Sequence, residues 1–145
     1  MSKYILKKLS IRPVRPSNDV DFLFELLKER DPRANISHKK LPTYASHIKF
    51  VDSKPYKKWY IITAYDSGKK LKVGSIYLSK NDEIGIFVSK RFQGNNIGKS
   101  AISALIKKNP QKRYLANVNP KNSKSKRFFE NNGFKLIQYT FEKIK

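Results

Sequence analysis

A chain of 145 residues is long enough for one domain, and a globule of this size buries roughly 68–70% of the surface that its unfolded chain exposes. Its hydrophobic share of 39% supports one core, but no apolar run approaches the roughly 20 residues needed to span a bilayer, so no membrane partner is expected. The absence of cysteine excludes disulfides, thiolate metal sites and a cysteine nucleophile, while 32 Lys and Arg against 11 Asp and Glu give a formal charge of +21, which favours polyanions in a salt-dependent way.

The N-terminus, MSKYILKKLSIRP, lacks the apolar stretch and cleavage site of a secretory signal, and a cytoplasmic setting is expected. Ile5 to Val14 alternates loosely and predicts a first strand, with turn and capping chemistry in Arg15-Pro16-Ser17-Asn18. From Asp19 to Arg30 the apolar residues Val20, Leu23, Leu26 and Leu27 recur at helical spacing, and Asp31-Pro32 ends the helix. Thr43 caps a short helix through Val51. Three strand-like runs follow, Lys57 to Asp66, Leu71 to Ser79 and Glu83 to Ser89, joined by Ser67-Gly68 and Asn81-Asp82 as an antiparallel meander. A helix over Lys99 to Lys108, a strand over Arg113 to Val118, a helix over Ser123 to Asn131 closed at Asn132-Gly133, and a last strand over Phe134 to Phe141 complete the chain. There is no repeat and no linker, so residues 1–145 read as a single domain.

Between the third run of the meander and the next helix lies FQGNNIGKS, Phe92 to Ser100. A glycine turn between strand and helix presents bare backbone N–H groups at a helix N-terminus, where donors and dipole both favour an anion. The Walker pattern needs four residues between its glycines; Gly94 and Gly98 enclose three, and the next strand, RYLANVN, ends in asparagine where magnesium would need an acid. The dinucleotide fingerprint fails as well, because Gln111 to Tyr114 supplies no acidic residue at its spacing. From the loop alone, a phosphate cradle and a purely structural turn both stand.

A second stretch, NPKNSKSKRFFENNGF over Asn119 to Phe134, taken with the first, resembles the acetyl-CoA-binding half of the GNAT superfamily of N-acetyltransferases. Val88 matches the aliphatic strand end, Gln93, Gly94 and Gly98 the loop, and Asn122, Ser125, Phe128, Phe129, Gly133 and Phe134 the later motif. The likeness is close from Glu83 to Phe134, and the order of the earlier elements fits nearly the whole chain. Two departures stand out: Asn96 occupies the usual middle glycine and Phe129 the place of a common tyrosine. Asparagine tolerates the left-handed region better than other side chains do. The resemblance implies an α/β (α+β) fold, with a mixed, mostly antiparallel sheet of about six to seven strands flanked by about four helices.

It also implies a chemistry. Acetyl transfer to an amine requires a held diphosphate, a polarised carbonyl, a neutral amine and a protonated leaving thiolate. The expected coenzyme site comprises Phe87, Val88, Gln93, Gly94, Asn95, Asn96, Ile97, Gly98, Lys99, Asn122, Ser125 and Phe129, with charge added by Arg91 and Lys99. The Val88 N–H is the expected oxyanion donor, on a strand that splays from its neighbour to free backbone groups for the pantetheine arm. Asn122 either bonds that arm or forms an Asx turn after Pro120. Glu83 is the candidate base, with His47 and His38 as alternatives because histidine titrates near neutrality. Phe129 has no proton to give, so water or another hydroxyl such as Tyr139 must serve as acid, or none is needed. Trp59, Tyr60 and Tyr65 read as core or sheet edge, or as lining of an acceptor pocket.

The co-substrate implied is acetyl-CoA, with no metal, and the acceptor is a small-molecule amine. Ile36 to Val51 resembles members that acetylate amino groups of nucleotide sugars. A nucleic-acid- or tRNA-directed acetyltransferase, or a basic nucleic-acid-binding protein, is a rival reading of the charge and of KPYKKWYI, whose aromatics suit stacking on single strands. A non-catalytic coenzyme A-binding module is a third, motivated by Asn96 and Phe129. The chain is expected as a monomer or a homodimer.

Overall fold

The computed structural model describes residues 4–30 and 40–145. Along the chain run β1 (Lys7–Pro13), α1 (Pro16–Glu29), α2 (Tyr44–Asp52), β2 (Lys58–Asp66), β3 (Lys69–Leu78), β4 (Ile84–Val88), a 3-10 turn (Lys90–Phe92), α3 (Ile97–Lys108) and α4 (Ser123–Asn131). The helix expected from Asp19 starts at Pro16 instead, because a proline at the first helical position has its φ already set and no N–H to leave unpaired.

Asp19 organises this start. Its carboxylate is fully buried, accepts the Arg15 N–H at 2.7 Å and both Arg12 guanidinium nitrogens at 2.8 Å, and pairs with Lys72 at 2.8 Å. Burial alone would raise this carboxyl; the bonds from Arg12, Lys72 and the Arg15 N–H overcome it and hold the group well below the usual carboxylate range. One acid therefore ties β1, α1 and β3 together. At α2, the Thr43 hydroxyl accepts the Ser46 N–H at 3.1 Å, the capping bond its position promises.

The sheet is a fully antiparallel meander in the order β1-β2-β3-β4, with Ser67 and Gly68, both at positive φ, turning β2 into β3. Each face has its own core. On one, Ile62, Ile76 and Ile84 meet Phe92, Ile97 and Leu105 of the loop and α3; on the other, Ile61 meets Leu23 and Leu26 of α1 and Val51 of α2. Strand alternation divides β4 accordingly: Ile86 and Val88 pack toward α3, Phe87 toward α1.

Four strands form among the described residues where six to seven were expected. Arg113 to Val118 touches the sheet at one parallel bridge, Glu83 to Leu115, and Phe134 to Phe141 forms no strand, leaving Leu136, Ile137, Tyr139 and Phe141 exposed. The reason is physical: strand propensity is realised through a paired neighbour, and past this bridge β4 offers these segments no ladder. β1 is also shorter than Ile5 to Val14, with a register shift between Lys7 and Ser10 and Lys8 at positive φ. Among the described residues no helix is long and apolar enough to cross a membrane.

Candidate active site

The glycine loop is fixed at several points. Gly94 has φ +90, a conformation that side-chain-bearing residues rarely adopt, and Asn96 caps α3 in the left-handed region at φ 56. The Asn95 amide donates to the Phe92 carbonyl at 2.8 Å, the Gln93 amide donates to the Val88 carbonyl at 3.3 Å, and the Lys124 ammonium donates to Gln93 Oε1 at 3.3 Å. The buried Ile97 side chain anchors the helix, so the N–H groups of Ile97, Gly98 and Lys99 form a first turn with no acceptor within the helix. Gly98 is small for a packing reason: a Cβ there would lie 2.7 Å from the Phe128 ring of α4.

The second motif builds α4 behind this turn. Asn122 Oδ1 accepts the Ser125 N–H at 3.1 Å as the helix cap. Phe129 is buried, edge-on to Phe128 at 5.2 Å and to Phe134 at 5.2 Å, so the position often held by tyrosine is here part of the core. Lys99 and Arg91 are exposed, the Arg91 guanidinium lying 4.6 Å over the Phe92 ring.

β4 opens beside the loop. Glu83 and Ser89 face β3, through Ser79 N–H to Glu83 O at 2.8 Å and Ser89 N–H to Val73 O at 2.9 Å, whereas the Ile84 N–H points the other way, to Leu115 O at 2.7 Å. Antiparallel alternation then turns the Ile86 and Val88 N–H groups outward as well. Past the Glu83 to Leu115 bridge no neighbouring strand among the described residues takes them up. The two chains diverge, leaving a slot with backbone donors on its wall and the first turn of α3 at its end.

The proton-handling candidates lie apart. Glu83 is half-buried; Oε1 accepts from Ser79 Oγ at 3.1 Å, and Oε2 accepts a short hydrogen bond from the Asn117 amide. Five residues of strand, about 16 Å, separate its Cα from that of Val88, beyond direct reach of a carboxylate. His47 is buried on α2, and its Nε2 donates to the Val20 carbonyl at 2.9 Å, leaving Nδ1 as an acceptor with no partner among the described residues. Tyr139 is exposed and lies against Phe141, away from this cluster. His38 lies outside the described residues.

On the α1–α2 face is a cavity of about 50 Å³ whose walls include His47, Trp59, Tyr77 and Phe87. Of the expected aromatics Trp59 lines it, while Tyr60 is core, its hydroxyl accepting from the Asn109 amide at 3.0 Å. Tyr56 stacks on Tyr77 at 3.8 Å, and Tyr77 crosses β4 over Gly85, where any Cβ would meet its ring at 2.2 Å. Burial first, and then the Glu83 charge, raises the Tyr77 hydroxyl above its ordinary value, so it stays protonated beside that carboxylate. Burial likewise lowers Arg30, whose guanidinium lies 4.8 Å over the Phe87 ring. Sequence reading passed over Tyr56, Tyr77, Arg30 and Asn117, and only the glycine at 85, opposite Tyr77, hinted at a ring lying across the strand. Among the described residues no group of three or more His, Asp or Glu could hold a metal ion.

The profile of the acetyltransferase (GNAT) domain matches residues 8–135. No curated protein matches the chain. Among solved structures, a domain from Methanocaldococcus jannaschii is similar at TM-score 0.77 and 25% identity, covering 93% of each chain. The ribosomal L7/L12 alpha-N-protein acetyltransferase RimL, in complex with coenzyme A, is similar at TM-score 0.69 and 19% identity over 94% of this chain and 83% of its own. A spermidine N-acetyltransferase from Vibrio cholerae is similar at TM-score 0.67 and 15% identity over 87% and 78%. With the profile spanning both linked motifs and most of the sheet, the chain belongs to the GNAT acetyltransferase family.

Proposed function

We propose that this protein is an acetyl-CoA-dependent N-acetyltransferase that moves an acetyl group to a primary amine by direct attack in a ternary complex. The observation that carries this reading is the slot beside β4, where the outward Val88 N–H and the first turn of α3 flank the same opening. The backbone from Gln93 to Lys99 holds the diphosphate, with Arg91 and Lys99 adding charge. The Ile86 and Val88 backbone groups pair with the pantetheine arm in place of a fifth strand, and the Val88 N–H donates to the thioester oxygen as charge develops there.

The amine nitrogen attacks the thioester carbonyl, the C–S bond breaks, and the amine's extra proton leaves through water to Glu83, with His47 Nδ1 as the alternative base. Phe129 supplies no proton, and Tyr139 lies in the open, so solvent protonates the thiolate. Coenzyme-bound RimL and the spermidine enzyme support the co-substrate and the amine chemistry respectively. Amino-sugar nucleotides enter the acceptor screen on the likeness of Ile36 to Val51.

The test is the thermal midpoint with acetyl-CoA against Mg-ATP, followed by thiol release with a panel of amines. A ligand bound only by the folded state raises the midpoint, here with acetyl-CoA and not with ATP. No rise with acetyl-CoA sinks the reading. The charge of +21 favours a second reading, binding of nucleic acid, which predicts steeply salt-dependent retention of random oligonucleotides.

A further inference from the structure

The acceptor cavity carries its own chemical signature. Its walls are Leu23, Leu26 and Leu27 of α1 and Phe50 of α2, closed by Trp59 and Phe87 from the sheet, with Tyr56 edge-on to Trp59 at 4.9 Å. Among the described residues no carboxylate lines it, and the Arg30 cation lies against its Phe87 wall. A polyamine or an aminoglycoside would bring two or more ammonium groups to a site with no counter-charge for them, and an unpaired buried cation is costly. The one acid nearby is Glu83, at the Tyr77 side, which suits a single amine.

Two polar atoms in this wall lack partners. Trp59 Nε1–H is a donor, and His47 Nδ1 is an acceptor because Nε2 already donates to Val20 O. Buried polar groups are rarely left unpaired, so an unpaired donor and an unpaired acceptor on one cavity call for a ligand offering the reverse pair. An amide does so: its carbonyl accepts from Trp59 and its N–H donates to His47. Size sets the remaining term. At about 50 Å³ the cavity is well below the roughly 150 Å³ known to admit a benzene ring, and it takes a short aliphatic branch.

Resting on the acetyltransferase reading, we infer that the acceptor is a monoamine with a short apolar side chain and an adjacent amide, the chemistry shared by aliphatic amino-acid amides and by peptides with an aliphatic first residue. The experiment follows thiol release from acetyl-CoA with L-valinamide, a Val-initiated tripeptide, isobutylamine, spermidine, kanamycin and a nucleotide-linked amino sugar. The expected result is a kcat/KM for valinamide or the tripeptide at least about tenfold above those of the other four, the ratio between the two distinguishing a free amide from a peptide.

Two variants locate the effect. Trp59→Phe keeps the ring and removes the donor; it should raise KM for valinamide about three- to tenfold and leave that for isobutylamine unchanged. Leu27→Phe narrows the cavity and should raise KM for both, while the midpoint rise with acetyl-CoA stays intact in each variant. Preference for spermidine, kanamycin or the amino sugar overturns the inference and leaves the acetyltransferase reading standing. Transfer to no amine overturns it too, and if acetyl-CoA also fails to raise the midpoint, the underlying reading falls with it.

Discussion

Single residues carry the most direct tests. Glu83→Gln keeps shape and hydrogen bonding but removes the base, and should lower kcat about 10²- to 10⁴-fold in thiol release while the midpoint rise with acetyl-CoA persists. If the rate holds, the proton goes to His47 instead. Phe129→Tyr places a hydroxyl among Phe128 and Phe134 and should destabilise the fold by about 1–3 kcal/mol in urea unfolding, the cost of a buried group without a partner. Asp19→Asn strips the charge that balances Arg12 and Lys72, and about 3–5 kcal/mol should be lost. Because the folded state holds the Asp19 carboxyl far below its unfolded value, its contribution is complete above the ordinary carboxylate value of about 4 and drains away as pH falls below it, so an acid titration of wild type and Asp19→Asn should converge. The sequence marked Asp19 as a helix-dipole partner only; its pairing with Lys72, far along the chain, was invisible because ion pairs across strands follow no spacing rule.

Among elements, legibility follows where the order is stored. α2, β2, β3 and β4 sit close to where periodicity and turn residues put them, because each buries one face against a neighbour that the meander itself supplies. RYLANVN and FKLIQYTF read as strands from the same kind of evidence and are not, since pairing depends on what lies alongside and not on composition. The loop was legible as chemistry because Gly94 and Asn96 are needed for backbone geometry, whereas the cavity was not, since Tyr56, Trp59 and Tyr77 meet only through the packing of β2 and β3 against α2. Gly98→Ala tests the join between α3 and α4: its methyl must displace the Phe128 ring or shift the helix, and the acetyl-CoA midpoint rise should shrink markedly relative to a neutral surface control such as Lys107→Ala.

For the molecule as a whole, the charge of +21 is a self-repulsion that screening relieves, so adding salt from low ionic strength should raise the thermal midpoint before any ligand is present. The same screening should weaken acetyl-CoA binding, whose phosphates the exposed Lys99 and Arg91 attract. Opposite responses to one variable separate stability from recognition.

The half-open edge of β4 has a consequence for isotope exchange. Gly85, Phe87 and Ser89 turn their amides into the β3 ladder, while Ile86 and Val88 turn theirs away. In deuterium the free protein should therefore label every second residue of one strand within the sheet, fast at 86 and 88 and slow at 85 and 87, a comb that a wholly paired or wholly frayed strand never gives. Whatever occupies the slot should erase the comb, so two amide signals report occupancy without any turnover at all.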